Sequence, residues 1–165
     1  MIQIKDSDLR AAVLKGMDEF IQVFTDAYKG VLGEDFSAEN MRLLTGEQHT
    51  LLAYSIFREE VMEGGFCQLV QNGYGAYIFD NPFAKAMRLW GAVDFSKLLY
   101  KAKKIYDDYR EDLERERTDE EFMAMYETYE AFDDLEEEYL EKEESITALL
   151  AEYVDNHLTL FAEII

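Results

Sequence analysis

Apolar residues recur along this chain at helical spacing. Leu9, Val13, Met17, Phe20, Phe24, Tyr28 and Val31 follow one another in steps of three and four, which sets them on one stripe of an amphipathic helix. Asp6 or Ser7 can cap its start and Gly33 its end. Thr45 and Gln48 have the spacing of a capping box. The body that follows, LLAYSIF (51–57), is apolar on nearly every side, as in a helix buried in the middle of a domain. Asn81-Pro82 reads as a cap with proline in the first helical position, and the helix FAKAMRLW should end at Gly91.

The second half continues the pattern. Phe95, Leu98, Leu99, Ala102, Ile105, Tyr109 and Leu113 form a long stripe. Thr118 with Glu121 makes a second capping box, followed on one face by Phe122, Met125, Tyr126 and Tyr129. Ile146, Leu149, Leu150, Tyr153 and Val154 mark the last helix. No stretch alternates with strand period, and there is no repeat or Pro/Ser-rich linker. The pattern predicts an all-α fold with little or no β-structure. It also predicts a single compact domain over 1–165 with about six to eight helices.

Four of the nine glycines crowd into EEVMEGGFCQLVQNGYG (59–75). A phosphate loop needs other spacing. Gly73-Tyr74-Gly75 would require glycine or alanine at 78, where Ile78 stands, and no Lys-Ser or Lys-Thr follows. Gly64 and Gly65 read instead as a helix end, and Asn72-Gly73 as a turn.

Charge changes the picture more than composition does. Aromatic residues make up 14% and apolar residues 48% of 165, enough for a folded core. The net charge is −20, and it is unevenly placed. Residues 1–106 hold 14 acids and 12 bases, whereas 107–165 hold 22 acids and 4 bases. Within 107–144 the balance is 19 acids to 4 bases. Such a surface repels phosphates, which argues against nucleic acid and against an anionic membrane as partners. It suits basic proteins. Laid out as one helix, these 38 residues would span about 57 Å and carry about one net charge per 3.8 Å, against about one per 1.7 Å for duplex DNA. Imitation of DNA therefore needs acidic helices side by side or two subunits paired. Thr118 and Ala131-Phe132-Asp133-Asp134 look like the breaks that would allow the folding back.

Catalytic and metal chemistry find little footing. His49 and His157 have no second histidine at ligand spacing, and Cys67 is the single cysteine. A lone cysteine and a charged N-terminus, MIQIKDSDLR, fit a cytoplasmic protein. No nucleophile, base, cofactor motif or calcium loop stands out. The expectation is a non-enzymatic protein without cofactor.

The glycine stretch carries one further signal. LTGEQHTLLAYSIFREEVMEGGFCQLVQNGYG resembles the signature of a bacterial family of small all-α domains typified by an acidic DNA-mimic protein. Leu44, Thr45 and Gln48 match its start. Glu60, Val61, Gly64, Gly65, Phe66 and Gln68 match its centre, and Asn72 with Gly75 its turn. Trp90-Gly91-Ala92 and the acidic FDDLEEEYLEKEESITALLAEYV are similar to later family patterns. The likeness covers roughly 40–155. Glu63 departs from it where the family has asparagine. The resemblance implies a fold-defining bend that packs Phe66 on the preceding helix, with Gln68 and Asn72 satisfying backbone groups. It also implies a homodimer that presents carboxylates to a DNA-binding protein such as a transcription factor.

The resulting expectation is an acidic interaction domain that binds the DNA-facing surface of a basic protein. Charge density alone selects Asp107, Asp108, Glu111, Asp112, Glu114, Asp133, Asp134, Glu136, Glu137 and Glu138 as the contact residues. Two alternatives stand beside it. One is a structural or regulatory domain whose acids only solvate it. The other is an enzyme or small-ligand binder at the Gly64–Gly75 bend, with Gln68, Asn72 and Tyr74 lining a cleft.

Overall fold

The capping boxes form where the spacing places them. Thr45 N donates to Gln48 Oε1 (2.9 Å) and Gln48 N to Thr45 Oγ1 (3.3 Å). Thr118 and Glu121 exchange the same pair of bonds. A computed structural model describes residues 1–34 and 36–165. In chain order these carry β1 (Gln3–Ile4), α1 (Asp6–Val13), α2 (Met17–Leu32), α3 (Ala38–Met41), α4 (Gly46–Gln71), α5 (Gly75–Phe79), α6 (Phe83–Leu89), α7 (Val93–Glu114), α8 (Asp119–Thr128), a 3-10 turn (Glu130–Phe132), α9 (Asp133–Asn156), α10 (Leu158–Phe161) and β2 (Glu163–Ile164). The fold is all-α, with one two-residue parallel pair, Gln3 opposite Glu163 and Ile4 opposite Ile164. Ten helices among the described residues exceed the expected six to eight. The first predicted helix is in fact two, and α3 and α10 are single turns that periodicity does not register.

The split lies at Gly16. Its φ of 153° ends the α1–α2 turn in a conformation that side chains disfavour. Of the predicted stripe, Leu9, Phe20, Phe24 and Tyr28 are buried, while Val13, Met17 and Val31, near the break and the helix end, are exposed. In α7 the non-helical Tyr109 (φ −124°, ψ 20°) interrupts the pattern. Tyr106 is buried there in place of the expected Ile105 and Tyr109. Asn81 does not cap α6. Its side-chain amide donates to the Tyr77 carbonyl (2.9 Å) of α5, and Pro82 itself occupies the cap position.

The chain divides into two compact units whose boundaries fall inside α4 and α9. Unit 1 comprises Met1–Ser55 and Ser145–Ile165. It is tied around Phe161, whose carbonyl accepts from Tyr28 Oη (2.8 Å) and Gln48 Nε2 (3.0 Å). Phe24 meets the Phe161 ring edge-on, and Tyr54 and Thr147 share a buried hydroxyl bond of 2.7 Å.

Unit 2 is Ile56–Glu144. Phe57, fully buried, contacts the rings of Phe66, Phe83, Phe95 and Tyr139. Burial of aromatic surface on this scale dominates the energy of a small core. Phe66 in turn stacks on Phe132 at 4.9 Å, and Phe79 lies against Tyr106. Arg58 and the buried Glu143 form an ion pair at 2.5 Å. Among the described residues no helix is long and apolar enough to cross a membrane.

Candidate functional site

The glycine bend and the acidic helices belong to the same unit. Within α4, Gly64 and Gly65 leave helical geometry (Gly65 φ 71°, ψ −170°). The chain bends, and the last turns of α4 restart at Phe66. That restart exposes an orphan N–H, which Phe66 donates to Glu136 Oε1 at 2.8 Å. Glu136 thus caps a helix start from seventy positions away. Burial holds its carboxyl above the ordinary range, opposed by the Phe66 bond. On the other side of the bend, Tyr126 Oη donates to the Gly64 carbonyl at 2.7 Å.

Gln68 and Asn72 serve differently from the expectation. Both amides donate to Glu60 Oε2, each at 2.8 Å. They hold a carboxylate one helix turn before the bend, while Glu136 and Tyr126 take the backbone groups. Phe66 does pack on the preceding helix, edge-on to Phe57 at 5.6 Å. Tyr74, the third polar group suggested there, is raised by burial and then by Glu60 and Glu59. Cys67 is buried, and its thiol is pushed up to about 12, chiefly by desolvation. A thiol so shifted is not a nucleophile near neutral pH. Among the described residues no group of three His, Cys, Asp or Glu is placed to share a metal ion.

The acidic segment folds back on itself, as the predicted breaks allow. α7 ends at Glu114, the chain reverses through Arg115–Thr118, and α8 leads through the 3-10 turn into α9. Tyr129, at the end of α8, meets the Tyr109 ring at the kink of α7 (5.7 Å) and donates its hydroxyl to Asp112. Gln71 Nε2 reaches the Leu113 carbonyl (2.6 Å) and the Arg115 carbonyl (3.0 Å). Arg117 turns inward, its side chain only 3% exposed, and donates to the Asp112 carbonyl (2.6 Å) and Oδ2 (2.8 Å).

The carboxylates therefore fall into two sets. Several are engaged. Asp112 is held below its usual range first by Tyr129 and then by Arg115, with Arg117 adding to it. Arg115 also reaches Glu121 at 3.1 Å. Glu114 takes Arg110 and the Tyr106 hydroxyl, Asp107 takes Lys103, Glu138 takes Lys142 and Glu143 takes Arg58. Of the ten residues chosen by charge density, Asp107, Asp112, Glu114 and Glu138 lie in ion pairs and Glu136 faces the bend. Asp108, Glu111, Asp133, Asp134 and Glu137 are exposed with no ion-pair partner among the described residues.

The same holds for residues that charge density passed over: Glu116, Asp119, Glu120, Glu127, Glu130, Glu141 and Glu144. All four bases of the segment, Arg110, Arg115, Arg117 and Lys142, are already paired. On α9, Asp134, Glu137, Glu141 and Glu144 follow in steps of three, four and three. They share one outward face, and helical periodicity applied to exposure would have picked out Glu141 and Glu144.

The DMP19-like protein family matches residues 42–157, nearly the span over which the signature was read. The chain belongs to the DMP19-like family. It is 34% identical over 127 residues to the DNA mimic protein DMP19 of Neisseria meningitidis serogroup B (strain ATCC BAA-335 / MC58). That alignment covers 76% of this chain and 77% of the relative. The family span takes in the bend, the reversal at Arg115–Thr118 and the whole of α9.

Proposed function

We propose that this protein is a non-enzymatic DNA mimic, which occupies the DNA-facing surface of a basic DNA-binding protein, such as a transcription factor. The carrying observation is the set of exposed, unpaired carboxylates over 108–144 beside bases that are all consumed internally. Membership of a family that includes a protein named a DNA mimic supports it.

The α9 face gives a scale. From Asp134 to Glu144 the rise is about 15 Å, or about 5 Å per carboxylate, at about 1.5 Å per residue. One DNA strand presents a phosphate about every 3.4 Å. A single face is sparser than a strand. Neighbouring acids on α8 and α9, or the α9 face of a second chain in a homodimer, bring the density up. Lysines and arginines in a DNA-binding groove then meet fixed carboxylates instead of phosphates. The contact residues in this reading are Asp108, Glu111, Asp133, Asp134 and Glu137, with Glu141 and Glu144. The setting is the cytoplasm, where such partners work.

The test is affinity capture from a bacterial lysate at 50 and 500 mM NaCl, followed by challenge with excess duplex DNA. Proteins retained at low salt should leave on addition of DNA and at high salt. Capture that persists beside excess DNA refutes the reading. A Glu137→Gln/Glu141→Gln/Glu144→Gln variant that captures as well as the parent refutes the assignment to α9.

A further inference from the structure

Unit 1 carries a groove of a different character. It lies between the α1–α2 turn and the last turns of α9 and has a volume of about 930 Å³. Val13, Met17 and the buried Phe20 line it from the first two helices, and Ala148, Leu149 and Ala151 line it from α9. Three of these apolar side chains are open to solvent: Val13 is 57% exposed, Met17 54% and Leu149 40%, and the neighbouring Leu14 reaches 89%. Contiguous exposed apolar surface of this kind marks a site of contact. The alanines at 148 and 151 keep the α9 side of the lining small.

The charged members of the lining are all acidic. Glu152 and Asp155 stand at one end, and the Glu19 carboxylate closes over Gly16, another lining residue. Among the described residues no cation lines the groove, and Lys15 lies exposed in the turn outside it. A second copy of this chain would bring further carboxylates and no cation from its own groove lining, on a protein of net charge −20. Like charges face to face disfavour that occupant. From Ser145 to Asp155 the groove runs about 15 Å, the length of about three helical turns.

We propose that this groove docks a cationic amphipathic helix of a partner protein. The helix lays an apolar face on Val13, Met17, Phe20 and Leu149 and sets Lys or Arg against Glu152 and Asp155. This is the helix-in-groove mode, with anchors at i, i+3, i+4 and i+7. It stands apart from mimicry, which uses other residues.

The probe is a labelled synthetic peptide with leucine at those anchor positions and lysine elsewhere, titrated by fluorescence anisotropy with the full chain in 150 mM NaCl. Two control peptides carry glutamate for lysine, or glutamine for leucine. The leucine–lysine peptide should bind at least tenfold more tightly than either. Ala148→Phe, which fills the groove, and Met17→Gln, which removes an anchor, should each weaken it about tenfold, with circular dichroism confirming the fold. The Glu137→Gln/Glu141→Gln/Glu144→Gln variant should bind it within twofold of the parent, so a failure of mimicry leaves this result standing. Unchanged affinity in both groove variants overturns the proposal, as does equal binding of the glutamate peptide. A dimer in sedimentation equilibrium that Ala148→Phe splits into monomers also overturns it, by assigning the groove to a second copy.

Discussion

Gly65→Ala tests whether the bend is built as described. At φ 71° and ψ −170°, Gly65 occupies a region essentially reserved for glycine, and a side chain there costs about 1–3 kcal/mol. A Cβ would also run into the Glu136 carboxylate and push it off the Phe66 N–H. A hydrogen bond to a charged group contributes about 1.5–3 kcal/mol. The two effects together give about 2.5–6 kcal/mol. Gly73→Ala is the control, since Gly73 has φ 89° but open space where its Cβ would stand, so it carries strain alone. Urea unfolding followed by fluorescence of Trp90, the single tryptophan and a buried residue of unit 2, reads the right part of the chain. With a urea slope of about 2 kcal/mol per molar, Gly65→Ala should lower the midpoint by about 1.3–3 M. Gly73→Ala should lower it by less than half of that. In a Glu136→Ala background the Gly65→Ala penalty should shrink to the strain part. Equal midpoint shifts for Gly65→Ala and Gly73→Ala would refute the role given to Glu136.

Two further outcomes follow from the charges. Asp112 has its carboxyl lowered from 3.8 by Tyr129, Arg115 and Arg117, so its contribution is present above that value and is lost as pH falls below it. Asp112→Asn should therefore be less stable than the parent at pH 7, and the gap in thermal melts should narrow as pH falls below 3.8; a constant gap across that range counts against the linkage. The unpaired carboxylates of 108–144 repel one another, so raising NaCl from 50 to 500 mM should raise the melting temperature by about 2–4 °C, as for a gain of about 1 kcal/mol. A fall in melting temperature would count against it.

The parts of the fold written in local spacing were legible. Both capping boxes, the buried LLAYSIF helix, the stop at Gly33 and the breaks around Thr118 and Phe132 depend on residues a few positions apart. Gly16 was not legible. A stripe of steps of three and four continues through it on paper, while the backbone turns and leaves Val13 and Met17 outside. The partners of the bend were beyond reach for another reason. The resemblance implies backbone partners for Gln68 and Asn72, but an amide finds the strongest acceptor in range, here Glu60. The groups that do satisfy Phe66 and Gly64 come from α9 and α8, seventy and sixty-two positions away. The acidic bias was plain in the counts. Which carboxylates stay outward depends on where Arg110, Arg115, Arg117 and Lys142 fold back.

That sorting separates the two readings of the acidic surface. Solvation depends on how much charge a protein carries, and any exposed carboxylate serves. Recognition by a groove lined with lysine and arginine depends on where the carboxylates stand relative to one another. Glu137, Glu141 and Glu144 share one face of α9, whereas Asp108 and Glu111 lie on opposite sides of the Tyr109 kink of α7 and Glu116 lies beyond the end of that helix. Changing either trio to glutamine removes three charges and leaves the two variants with the same net charge. Both should stay equally soluble. A surface acting through bulk charge would lose DNA-competed capture to the same degree in both. A surface acting through spacing would lose far more of it with the α9 trio, because only there do successive carboxylates keep one face and one pitch.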